Sequence, residues 1–110
     1  MFVLVTAAPG FSDETVLKKI LRQLDLTDVT LLSMHETEFD GMLESYAKHI
    51  GIPCRVFPKE DTLLRDMELI EACDGLVLVG RSRRNTRLAN LGKLARRKVV
   101  RFDWFGNLER

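Results

Sequence analysis

The chain has 110 residues, of which 45% are hydrophobic, and a formal net charge of +1. This is one domain's length with enough apolar content for a core, which excludes a disordered chain and removes any need for a metal or disulfide to hold the fold. No apolar run approaches about 18 residues, and the N-terminus shows neither a basic region nor a small-residue cleavage site, so a membrane span and a signal peptide are not expected and a cytoplasmic protein is.

In chain order, Phe2–Thr6 is a continuous apolar run, as expected of a strand buried on both faces. Ala7 to Phe11 reads as a turn, and Ser12 or Asp13 can cap the next helix by accepting from an orphan N–H. Val16, Leu17, Ile20, Leu21 and Leu24 have helical spacing. Val29–Ser33 is the second strand. Phe39, Met42, Leu43, Tyr46, Ala47 and Ile50 stripe the second helix, and Gly51 ends it. Pro53–Phe57 is the third strand, with proline acceptable at its first position. Leu63, Met67 and Ile70 stripe a third helix. Gly75–Gly80 is the fourth and most hydrophobic strand. A fourth helix is predicted from about Asn85 to Arg97, with Leu88, Leu91, Leu94 and Ala95 inward. Val99–Phe102 is the fifth strand, and Asp103–Arg110 is a short tail.

Strict alternation of strands and helices predicts a single α/β domain over residues 1–110, with a mostly parallel sheet covered on both faces in three layers. Such folds bind ligands beyond the carboxyl ends of their strands, where the strand order reverses. The loops to inspect are therefore 7–12, 33–39, 58–62 and 80–86.

The net charge conceals a split. Residues 1–74 carry seven Lys/Arg and fourteen Asp/Glu, a net of −7, whereas residues 75–110 carry ten and two, a net of +8. Two readings stay open: an oriented field with an anionic partner for the last third, or interleaved segments that neutralise each other. Cys54 and Cys73 lie in no C-x-x-C or metal spacing and read as reduced, packed thiols.

Three stretches carry a family resemblance. Leu43-Glu44-Ser45-Tyr46-Ala47-Lys48-His49-Ile50-Gly51-Ile52-Pro53 is similar to L-A-x-x-Y-A-x-x-x-G-I-P. Arg65-Asp66-Met67 through Ala72-Cys73-Asp74-Gly75-Leu76-Val77 is similar to R-N-x-x-M…A-D-A-L-V. Pro9-Gly10-Phe11-Ser12-Asp13 is close to an opening G-S-R-x-F-x-D. In this order and spacing, the chain resembles the SLOG superfamily of Rossmann-like domains, in its YpsA-related short branch. The resemblance implies a five-stranded sheet of order 3-2-1-4-5 and a nucleotide-type ligand above strands 1 and 4.

Two loops depart from that family. Where it has S-G-G-A-R-G-A-D, this chain reads Ser33-Met34-His35-Glu36-Thr37-Glu38-Phe39-Asp40, and only Ser33 and Asp40 match. The glycines that let backbone N–H groups close on a phosphate are gone, and Glu36 and Glu38 repel one. Where the family has G-x-S-x-G-T, this chain reads Gly80-Arg81-Ser82-Arg83-Arg84-Asn85-Thr86. Enzymatic relatives place a glutamate three residues after that threonine to handle the ribose during glycosidic cleavage. Here the position is Ala89, so glycosidase chemistry is not expected and no residue is assigned a catalytic role.

The expected ligand site therefore has Pro9, Gly10 and Phe11 as one wall and Gly80 through Thr86 holding a phosphate. Ser33 and Asp40 are the surviving loop positions, and Arg65 approaches from the third helix. Arg81, Arg83, Arg84 and Arg87 cluster at a helix start, where acidic residues are the usual preference. They suit a phosphate, a nucleic acid, an acidic protein or simply solvent. His35, Glu36, Glu38 and Asp40 are of metal-ligating type, but the spacing is unspecific with no second histidine close by. The preferred reading is a solvated acidic loop with helix-capping carboxylates, with no metal and no cofactor. Trp104 and Phe105 in the tail leave open packing on the sheet edge or a homodimer contact.

Overall fold

The computed structural model describes residues 1–34, 37–57 and 62–109, and the side chains of all of these except Thr62 and Leu63. The elements run β1 (Phe2–Ala7), α1 (Glu14–Arg22), β2 (Thr30–Ser33), α2 (Glu38–Ile50), β3 (Cys54–Val56), α3 (Thr62–Ala72), β4 (Gly75–Val79), α4 (Arg83–Leu94), β5 (Lys98–Phe102) and β6 (Leu108–Glu109). They form one sheet of order β3-β2-β1-β4-β5-β6. Every pairing is parallel except that of β5 with β6.

The period of two along the strands sorts side chains into two cores. On one face Val5, Val77, Val79 and Leu31 meet Leu17, Ile20 and Leu21 of α1 and Phe39, Leu43 and Ala47 of α2. On the other, Leu4, Leu32, Leu76 and Leu78 meet Leu69 and Ile70 of α3 and Leu88 and Ala89 of α4. Helices thus cover both faces of the sheet, giving the Rossmann-like three-layer arrangement. Among the described residues no helix is long and apolar enough to cross a membrane.

Three details differ from the sequence reading. Met67 is 51% exposed: the buried face of α3 runs through Arg65, Asp66, Leu69 and Ile70 to Cys73, so two charged residues occupy positions that an apolar stripe would fill. Leu94 is 83% exposed because the buried face of α4 runs through Asn85, Leu88, Ala89 and Gly92 and Leu94 lies off it; the helix itself spans Arg83–Leu94, two residues earlier at its start than predicted and three at its end. Ile50, in the last turn of α2, also faces solvent.

A fourth difference is the tail, which is structured. The turn after β5 is drawn tight by Asp103, whose Oδ1 accepts from the N–H groups of Phe105 and Asn107, both at 2.9 Å. Lys19 Nζ then donates to the Phe105 carbonyl (3.1 Å) and to Asn107 Oδ1 (2.9 Å), and Gln23 Nε2 donates to the Gly106 carbonyl (2.8 Å). The tail is thereby pinned to α1, and Leu108–Glu109 closes the sheet edge as an antiparallel strand.

The order of strands lays the charge split out across the sheet, although Asp66 of the acidic segment pairs with Arg84 and Arg87 of the basic one. Residues 1–74 supply β1, β2, β3 and α1 to α3, whereas residues 75–110 supply β4, β5, β6 and α4. The segments do not interleave in the sheet: the acidic one forms the β3-β2-β1 side and the basic one the β4-β5-β6 side.

Candidate functional site

The strand order reverses between β1 and β4, so the crevice to inspect lies above their carboxyl ends, between the β1–α1 and β4–α4 turns. Local chemistry shapes the β4–α4 turn. Gly80 has φ +75°, and a Cβ there would lie 3.0 Å from the Trp104 ring and 3.2 Å from Ala8, so both conformation and space require glycine. Ser82 caps α4 by accepting from the Asn85 N–H at 3.0 Å. The buried Asn85 amide donates to the carbonyls of Val79 (3.1 Å) and Gly80 (3.0 Å), locking the turn. Asn85 is thus committed to the backbone, while Thr86 is exposed.

The cationic helix start has an internal anion. Asp66 of α3, with its side chain fully buried, takes Arg84 Nη2 on Oδ1 at 3.0 Å and Arg87 Nη2 on Oδ2 at 2.6 Å, with Arg87 Nε also on Oδ2 at 3.0 Å. A carboxylate without water around it is tolerable only with such compensation. Arg84 also reaches Met34 Sδ at the end of β2, at 2.8 Å. A side chain from the start of α4 therefore reaches past the end of β1 to that of β2. Arg65 is buried in the same cluster, and burial, followed by the charge of Arg84, holds its guanidinium below the ordinary value while Asp66 opposes. Two guanidiniums, those of Arg84 and Arg87, thus share one carboxylate, with Arg65 buried beside them. Arg87 and Arg84 keep 38% and 24% of their side-chain surface in solvent.

The other arginines differ. Arg81 pairs with Glu109 at 3.2 Å but remains 73% exposed, so the contact adds little stability. Arg83 is exposed and has no ion pair among the described residues. Arg97 donates to the carbonyls of Ile70 (3.2 Å) and Glu71 (3.4 Å), completing the end of α3.

The first loop divides. Pro9 and Gly10 are exposed, but Phe11 is buried. Phe11 packs edge-on to Phe39 at 5.4 Å and lies stacked with Trp104 at 5.6 Å, so the tail covers one wall of the expected site. Ser33 is buried, and its carbonyl accepts the Phe57 N–H at 2.9 Å. Asp40 belongs to the capping box of α2: its Oδ2 accepts the Thr37 N–H at 3.0 Å, and Thr37 Oγ1 accepts the Asp40 N–H at 3.4 Å. His35 and Glu36 lie outside the described residues; Glu38 is exposed. No group of three His, Cys, Asp or Glu side chains suited to a metal occurs among the described residues. Burial pushes the Cys54 and Cys73 thiols up to about 11, which leaves them poor nucleophiles near neutrality.

Asp66, Met34 and Trp104 are the members that sequence reasoning missed. One signal was present for Asp66: positions 66, 69, 70 and 73 have helical spacing, so a charge at the first of them lies on an apolar face. Met34 and Trp104 carried no such signal, because both meet their partners only through tertiary contact. Comparisons with protein-family models, with curated proteins and with solved structures find no match to this chain.

Proposed function

We propose that this chain is a cytoplasmic, SLOG-like domain that binds a phosphorylated, nucleotide-type ligand at the carboxyl ends of β1, β2 and β4, without cleaving it. The observation that carries the reading is the cluster of Arg65, Arg84 and Arg87 around Asp66. The buried carboxylate holds Arg84 and Arg87 in place before any ligand arrives. Held guanidiniums lose less freedom on meeting a phosphate than flexible ones. The α4 N-terminus, capped by Ser82, adds the positive end of a helix dipole at the same place, with Gly80, Arg81 and Arg83 beside it. Catalysis is not part of the reading. Ala89 is buried in the core between α4 and the sheet, where it offers no carboxylate to a ribose.

A thermal-shift titration at low salt tests this. Inorganic phosphate and AMP at millimolar concentration should raise the melting temperature. Arg87→Gln should remove most of the rise, since Arg87 is the more exposed partner of Asp66. No stabilisation of the wild type by either compound overturns the proposal.

The sheet order favours a second reading, because it gathers the basic segment on the β4-β5-β6 side. A nucleic acid lying on that side would bind with an affinity that falls steeply between two salt concentrations, as filter binding would read.

A further inference from the structure

We infer that the tail presents Trp104 as a stacking platform for a planar, amine-bearing base, and that the base lies at the α1 end of the crevice with the phosphate toward α4. The inference rests on the nucleotide-type reading above and adds which part of the ligand lies where.

The indole is 42% exposed although one side of it stacks on Phe11 and its edge meets Gly80. Its exposed part lines an open depression of about 520 Å³, shared with Gly10, Phe11, Ser12, Asp13 and Glu14. The ring is not loosely held. The turn that carries it is closed by the Asp103 carboxylate and fastened to α1 through Lys19 and Gln23. A half-exposed aromatic ring on a rigid support can stack a base at little ordering cost.

The rest of the depression fixes the polarity of the guest. Asp13 gives one carboxylate oxygen, Oδ1, to the Val16 N–H at 3.2 Å, and Oδ2 has no bond among those described. Glu14 is paired with Lys18 at 3.2 Å but stays 64% exposed. Two carboxylates and the Ser12 hydroxyl accept hydrogen bonds and repel phosphate. They suit the exocyclic amine of adenine, and they leave the phosphate to the guanidiniums at the start of α4.

Trp104 is the chain's one tryptophan, so fluorescence excited at the red edge, where Tyr46 does not absorb, reports this site alone. Titration at low salt with adenosine and with AMP should quench it saturably, and inorganic phosphate should not. Trp104→Leu should weaken AMP about tenfold, as loss of one stacking partner does. If phosphate stabilises the protein but neither adenosine nor AMP quenches the indole, the platform is overturned and the anion site stands. If phosphate quenches as strongly as AMP, the platform is likewise overturned. If nothing stabilises and nothing quenches, both readings fall. The wild-type quench decides the matter even where Trp104→Leu loses its native circular dichroism.

Discussion

Two helices begin at the same edge of the sheet, and they begin in opposite ways. The start of α1 follows local electrostatics: Asp13 caps it, Glu14 lies in its first turn, and Lys18 answers Glu14 one turn on. The start of α4 goes against them, with Arg83 and Arg84 in the first turn and no acidic residue there. Cations at a helix start are unfavourable by a few tenths of a kcal/mol or more. The α4 start is tolerated because Asp66 from another helix supplies the missing negative charge. One end is complete within its own sequence; the other depends on a carboxylate from α3. In the reading proposed above, the anion lies at the α4 end and the base at the α1 end.

The comparison predicts unequal costs. Asp66→Asn should be the most damaging change, because it leaves two guanidiniums facing a partner that no longer carries charge. Breaking a buried pair in this way commonly costs about 3–5 kcal/mol. Glu14→Gln at α1 breaks an exposed pair and should cost no more than about 0.5 kcal/mol. Guanidinium denaturation of both variants reads the contrast, and equal losses would show that Asp66 does not hold the α4 start together.

A smaller difference is expected at the caps. Ser82→Ala and Asp13→Ala each remove a side-chain acceptor from a helix N-terminus, at roughly 1 kcal/mol. Asp13→Ala also removes a favourable charge from the dipole, about 0.3–1 kcal/mol more. The same denaturation curves should therefore rank Asp13→Ala below Ser82→Ala, and the reverse ranking would mean that the α4 turn depends on Ser82 for more than capping.

The smallest effect has the opposite sign. Arg83 is exposed and lies in the first turn of α4, so Arg83→Glu should stabilise the fold by about 0.3–1 kcal/mol. It should also weaken the thermal shift by phosphate, because it replaces an attractive charge with a repulsive one. A variant that is more stable yet binds phosphate as well as the wild type would separate the arginine-rich turn from any anion site.

Much of this was legible in the sequence where the signal is local. Phe2 through Thr6 reads as a buried strand because the run is almost wholly apolar, and the structure extends it by one residue to Ala7. Val16, Leu17, Ile20 and Leu21 recur at the helical period, and Asp13 precedes them as a cap. The third helix was misphased at Met67 because its buried face includes Arg65 and Asp66, and an apolar-periodicity rule passes over charged residues. The tail was underestimated for a related reason. Leu108–Glu109 is too short to show alternation, and it pairs only because the Asp103 turn brings it back beside β5.

The sequence by itself determined the alternation of strands and helices, the parallel three-layer plan that such alternation requires, and the unequal charge of its two parts. These depend on period, capping chemistry and composition, all of which are local or additive. The tertiary structure decided what could not be added up along the chain. It separated the two charged segments across the sheet, buried Asp66 between Arg84 and Arg87, and laid Trp104 over Phe11. The physical reason is that a charge or a ring acquires its role from the groups beside it, and those groups are brought together by the crossovers of the sheet rather than by neighbouring positions in the chain.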